Sequence, residues 1–265
     1  MHTTATLLDP TPTKPRTDQP ADRLGLFGLL GRILRHREGF FDDIFEGKRV
    51  GAQIASFLLV IVSLTALYGL TMGSAGFHPL GDTVAGGGAG WEPGLKQIAA
   101  SAVKVPLLFL SSLMVCLPVL FIVLVLMGAK LTFGQTSALI LLALALSSIL
   151  LCSCAPIVLF FTFTGSNYHF IKLLHVGIFA FSGIWGMLAL SQGLHAACEK
   201  SELWPKQSIR ILQVWILVFG FVGTQMAWSL RPFVGDPDKP FQLFRTEQGG
   251  NFYVAVWNSV VDLGK

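Results

Sequence analysis

Five stretches of this chain run for more than twenty residues with almost no charge, at about 50–73, 98–127, 134–163, 168–195 and 209–230. Roughly 20 apolar residues in a helix cross the ~30 Å hydrocarbon core of a bilayer. No water is available there, so each spanning segment must satisfy its own backbone polar groups, and a helix does so within itself. The spacing therefore predicts an all-α polytopic membrane protein with a compact bundle of five transmembrane helices over residues 50–230. The second and third blocks exceed the minimum length and are expected to tilt or to extend beyond the hydrocarbon. Pro106, Pro118 and Pro156 lie within them and each removes a backbone donor, so kinks are expected there.

Composition agrees with this reading. Hydrophobic residues make up 52% of the chain and charged residues 13%, about half the charged share of an average soluble chain. That excludes a disordered chain and a disulfide-rich secreted fold. The net charge of +4 is spread along the sequence without a dense basic run, so no nucleic-acid partner is expected. Cys116, Cys152 and Cys154 lie in apolar blocks and Cys198 follows one. Cys152 and Cys154 fall about 200° apart around a helix, which does not suit a shared metal. They read as small packing residues, and neither metal nor cofactor is expected.

The flanks divide into recognisable pieces. Residues 1–22 are rich in Thr, Pro and charge and read as a disordered tail. They lack the apolar run of a secretory signal. Over 23–49, Leu26, Leu30, Ile33 and Leu34 share a helical face ahead of Arg32, Arg35 and Arg37, and Phe40, Phe41, Ile44 and Phe45 follow. This pattern predicts an amphipathic helix or helices, lying in the membrane interface or packed on the bundle. The loop Ser74–Lys96 carries a glycine run. The segment 231–265 is expected to lie at the outer surface as an extended strip. It ends in a short interfacial helix, FYVAVWNSVVDL, capped by Asn251 with Trp257 at interfacial height.

Basic residues set the orientation. With the N-terminus inside, the cytoplasmic flanks hold Arg32, Arg35, Arg37, Lys48, Arg49, Lys130, Lys200, Lys206 and Arg210. The outer flanks hold Lys96, Lys172, Arg231, Lys239 and Arg245. The excess predicts a cytoplasmic N-terminus and an outer C-terminus, with a bacterial inner membrane as the expected location.

Helices in lipid associate through small residues and occasional polar contacts. The expected packing faces are Ala52, Ser56, Ser63, Ala66 and Gly73 in the first block, and Ala145, Ser148, Cys152 and Ala155 in the third. They are Ser182, Gly186, Ala189 and Gly193 in the fourth, and Gly220, Gly223, Thr224 and Ala227 in the fifth. The second block is bulky all round between Leu107 and Met127 and is expected to face lipid or an apolar partner.

Ionisable groups inside spans mark candidate sites. Lys104 is placed at the outer edge of the second block, where its ammonium is expected to snorkel into water. Tyr168, Lys172 and His175 recur at i, i+4 and i+7, on one face of the fourth block. Together these four are the candidates for holding an anionic solute or lipid headgroup, with His175 able to relay a proton or ligate a tetrapyrrole metal, or simply to bond a neighbouring group. Gln135, Gln213 and Gln225 are expected to form interhelical hydrogen bonds. Phosphate-loop, zinc-protease, nucleophile-elbow and dinucleotide motifs are absent, and no span contains Asp or Glu.

A polar N-terminal segment followed by five compact spans is similar in arrangement to Yip-type membrane proteins. That family's acidic-Leu-x-Gly-Pro and Tyr-Lys-Gly phrases are not in this sequence, where the nearest stretch is NYHFIK at 167–172, so no residue role carries over. The functional expectation is a non-catalytic integral membrane protein: a structural, scaffold or accessory subunit, partnered by the lipid bilayer and other membrane subunits. The alternatives are a small channel or carrier with a basic outer mouth, and a pigment- or haem-binding subunit.

Overall fold

The computed structural model describes residues 26–35, 37–74, 91–126, 128–164, 167–200, 207–234, 242–244 and 250–263. The expected tail at 1–22 and the glycine-rich part of the first loop lie outside these residues. The described residues form nine helices: α1 Leu26–Arg35, α2 Arg37–Phe45, α3 Val50–Ser74, α4 Trp91–Leu126, α5 Phe133–Ser153, α6 Ala155–Phe163, α7 Tyr168–Lys200, α8 Gln207–Ser229 and α9 Phe252–Leu263. Four segments among them are long and apolar enough to cross a membrane: Val50–Ser74, Gly94–Leu126, Phe133–Phe163 and Tyr168–His195. The protein is an all-α, multi-span membrane protein.

The centre of the bundle is α5, whose residues Thr136 through Ile149 are buried without interruption. A helix enclosed on every side needs side chains that allow neighbours close on every side, and α5 alternates Leu with Ala and Ser. The single packing face expected for this block is therefore replaced by an all-round one. Thr132 caps α5, accepting from the Gln135 N–H, while the Gln135 side chain accepts from the Thr132 N–H. The far end of the same block breaks where Pro156 enters. Ser153 closes α5, Cys154 holds the junction, and α6 restarts at Ala155 with Pro156 in its first turn. Pro106 and Pro118, by contrast, sit inside an uninterrupted α4.

Neighbouring helices approach closely at glycines. A Cβ on Gly69 would lie 2.8 Å from the Cα of Ala102 on α4 and would also collide with the Ser101 carbonyl. One on Gly73 would lie 2.9 Å from the Gln97 carbonyl. On α7, Ser182, Gly186, Ala189 and Gly193 are all buried. Gly186 meets Ala143 and Ser147 of α5, and Gly193 receives the Phe41 ring of α2. The stripe expected on α3 is shifted: Ser63 is exposed, and Gly69 takes the close contact. At Gly220 and Gly223 no described residue stands within 4 Å of a Cβ, because α8 turns Trp215, not its glycines, into the core.

The second apolar block, α4, is two-faced and not lipid-facing all round. Val105, Leu108, Leu113, Cys116, Leu117, Leu120 and Leu124 are buried, while Leu107, Met114, Val115, Val119, Ile122 and Val125 are exposed. Composition hid this, because both faces use the same residue types.

At the opposite end, α1 and α2 seat their apolar faces in the bundle. Leu29, Ile33, Phe40, Phe41 and Ile44 are buried, and the Phe40 and Phe57 rings meet edge-on at 5.4 Å. Gln135 Nε2 donates to the Ile44 and Phe45 carbonyls at 3.0 and 3.1 Å, closing the end of α2. Of the two placements open from the sequence, packing on the bundle accounts for these faces. Gly47, at φ +70°, makes the turn from α2 into α3.

The glycine contacts give a paired prediction. Gly69→Ala is expected to lower stability by about 1–3 kcal/mol through overpacking. Gly220→Ala, in open space on a helix, should leave it unchanged or raise it by up to about 1 kcal/mol. Thermal unfolding of the two variants in the same detergent reads the difference, and equal midpoints would contradict the α3–α4 contact.

Candidate functional site

The polar groups of the spans concentrate at the end of the bundle remote from α1 and α2, where α3 finishes and α4 and α7 begin. Tyr68 on α3 is fully buried, and its hydroxyl lies 2.8 Å from Nδ1 of His175 on α7. The two rings are perpendicular, with centroids 5.6 Å apart, and Phe179 adds a second edge contact to Tyr68 at 5.7 Å. The phenol donates to Nδ1 when Nε2 carries the ring proton. Nε2 is itself buried and has no hydrogen-bond partner among the described residues.

The second polar group forms on one face of α4. Gln97, Ser101 and Lys104 are spaced i, i+4, i+7, which brings them into line along the helix. All three are buried, and all three donate to the segment that follows α8. Gln97 Nε2 donates to the Phe233 carbonyl at 2.8 Å, and Ser101 Oγ donates to the same oxygen at 2.5 Å. Lys104 Nζ donates to the Pro232 carbonyl at 2.9 Å and also to that of Leu243. The Phe244 ring centroid lies 5.1 Å from the same ammonium. Val234 is buried in one apolar cluster with Tyr68, Met72, Val105 and Ile178. The described residues Arg231–Val234 and Leu243–Phe244 thus form a strap laid across α4 and held by side-chain donors.

These contacts revise the placement of Lys104. It was expected to reach water at the outer edge, but it is 3% exposed and its ammonium is enclosed by the strap. Burying an ammonium is costly unless its N–H groups find acceptors, and the strap carbonyls supply them. His175 is likewise enclosed, at 2% exposure. Tyr168 and Lys172 are half-buried, and Tyr168 packs against the Tyr68 cluster. The expected candidates lie toward one end of the bundle, but Lys104 and His175 are each enclosed rather than facing an open mouth. A tetrapyrrole on His175 requires space beside Nε2 that so enclosed a ring does not offer. Among the described residues, no group of three or more His, Cys, Asp or Glu side chains is placed to hold a metal. Cys116, Cys152 and Cys154 are free thiols, and the side chain of Cys198 lies outside the described residues.

Gln97, Ser101 and Tyr68 were not singled out from the sequence, although signals for them were present. The first two share a face with Lys104. Tyr68 lies about 9 Å before the end of α3 and His175 about 10 Å after the start of α7, so antiparallel packing sets them at one depth. Of the glutamines, Gln135 makes the expected bonds between helices, whereas Gln213 is exposed.

No family model matches the chain, and no curated protein or solved structure matches it either.

The strap contacts predict the effect of Lys104→Met. The apolar stem is kept while the Pro232 and Leu243 carbonyls lose their donor, a cost of about 1–3 kcal/mol for buried polar groups left unpaired. Limited proteolysis of the folded protein should then cut within 231–250 faster than in the parent, whereas an unchanged rate would mean that Lys104 does not hold the strap.

Proposed function

We propose that the chain is a non-catalytic integral membrane protein serving as a structural, scaffold or accessory subunit of a membrane complex. The observation that carries this reading is the enclosure of Lys104 and His175. Ionisable groups inside a membrane normally mark a solute path, a proton relay or a site of chemistry. Here Lys104 bonds the chain's own strap and His175 bonds the chain's own Tyr68. Both then act as internal ties, which suits a protein whose task is to hold a shape.

In this reading α8 is the fifth span. Its 23 residues reach about 34 Å at 1.5 Å per residue, enough to cross. Five spans put the termini on opposite sides, and the basic flanks favour a cytoplasmic N-terminus, in a bacterial inner membrane. The open glycine positions Gly220 and Gly223 on α8 leave room for a neighbouring helix, in keeping with a subunit role.

A carrier of small anions is the second reading. It draws on Lys104, whose described polar partners are carbonyls and not a carboxylate, so the site keeps a positive charge. Gentle solubilisation followed by native mass measurement separates the two readings. The subunit reading expects a heavier species containing other membrane chains. A monodisperse monomer free of other chains, together with anion flux in reconstituted vesicles that Lys104→Met, Lys172→Ala or His175→Ala abolishes, would replace it with the carrier.

A further inference from the structure

The terminal helix α9 carries three distinct faces. Tyr253, Val254, Trp257, Val260 and Val261 are all exposed. At 100° per residue they cover an arc of about 120° with Trp257 near its centre. Asn258 and Asp262, also exposed, form a narrow polar strip at one border of that arc. The remaining side carries Ser259, which is 2% exposed and turned to the protein, where α9 packs against α7 and α8.

The first turn of α9 fixes its depth. The Tyr253 ring stacks on Phe221 of α8, with centroids 6.4 Å apart and planes within 18°. Its hydroxyl lies 3.2 Å from Thr224 Oγ1. Thr224 and Phe221 precede the end of α8 at Ser229 by about 8 and 12 Å along the helix. Around them, Val214, Leu217, Val218 and Phe221 form the exposed apolar flank of α8. The outward face of α9 is therefore continuous with that flank, and it begins below the end of the helix. Asn251 closes the start of α9 locally, its Oδ1 accepting the Val254 N–H at 2.9 Å, so a donor that water would otherwise satisfy is already paired.

We propose that α9 is immersed in one leaflet of the bilayer, with its Trp257 face against lipid acyl chains, its Ser259 side on the bundle and its Asn258–Asp262 strip toward water. This rests on the membrane-spanning reading of the bundle and is independent of its role as a subunit. Three media thus match three faces, whereas a water-exposed α9 would leave five large apolar side chains in solvent. Lipid is favoured over a partner protein because the face continues the apolar flank of a span.

The test uses full-length protein in vesicles containing phospholipids brominated in the upper part of the acyl chain, which quench tryptophan on contact. The parent protein is compared with Trp257→Phe, a change at an exposed position, and the difference between their emissions isolates Trp257. The proposal expects this component to be blue-shifted, quenched by brominated lipid and untouched by aqueous iodide. Quenching by iodide alone would place the face in water and overturn the proposal. Protection from both quenchers would mean that a protein surface covers it, which also overturns the proposal. Trp185, 49% exposed on α7, serves as an internal reference. Its emission is isolated as the difference between Trp257→Phe and Trp257→Phe/Trp185→Phe; quenching of that component by brominated lipid shows the bundle in the membrane whatever α9 does, and its absence would overturn the spanning reading itself.

Discussion

The close approach of α3 to α4 at Gly69 and Gly73 determines the arrangement of the far end of the molecule. Without side chains at these positions the α3 backbone comes against Gln97, Ile98, Ser101 and Ala102 of α4. Tyr68 adjoins Gly69 in sequence and so projects at about 100° from the contact, into α7, where it meets His175. From the other partner, Gln97, Ser101 and Lys104 bond the strap. A side chain at Gly69 would separate the two helices and disturb both polar groups at once. Helix packing through small residues and polar anchoring are consequently one feature of this fold.

The strap itself poses a problem that the donors on α4 solve. Irregular backbone near membrane depth is tolerated only where protein or a polar cavity satisfies its N–H and C=O groups. After α8 the chain passes through Arg231–Val234, and Pro232 prevents a continued helix. Its carbonyls must then find donors from elsewhere. Lys is well suited, because an ammonium offers three N–H groups from one compact head and reaches carbonyls from both Pro232 and Leu243. Gln97 and Ser101 converge on a single oxygen, that of Phe233. A positive charge against carbonyl dipoles gives stronger hydrogen bonds than a neutral donor would.

Much of the fold was legible in the sequence because hydrocarbon imposes a simple length rule. The boundaries of α3, the α5–α6 segment and α7 fall close to the apolar blocks that predicted them. The packing face of α7 was legible because Ser182, Gly186, Ala189 and Gly193 are the small residues among large ones. On α8, Gly220 and Gly223 form an equally regular stripe that no described residue approaches. Spacing identifies a face able to pack closely but not what packs on it. The two-faced character of α4 was invisible for a related reason: lipid and protein interior both accept Leu, Val and Ile, so burial leaves no compositional trace.

Polar pairs were half-legible. His175 and Lys104 stand out singly as ionisable residues in apolar surroundings, but their partners are the residues that sequence reasoning passes over. Tyr68 is a common aromatic in an apolar block, and a backbone carbonyl has no letter of its own. Depth-matching recovers the first, since antiparallel helices align residues at equal distance from their shared end. It does not recover the second, because Lys104 is bonded by a segment more than a hundred residues later in the chain. The difference is the ground of the proposed function. A lysine seen only by its depth suggests a mouth open to anions, whereas the same lysine closed by carbonyls acts as a structural tie, and only the path of the backbone distinguishes the two.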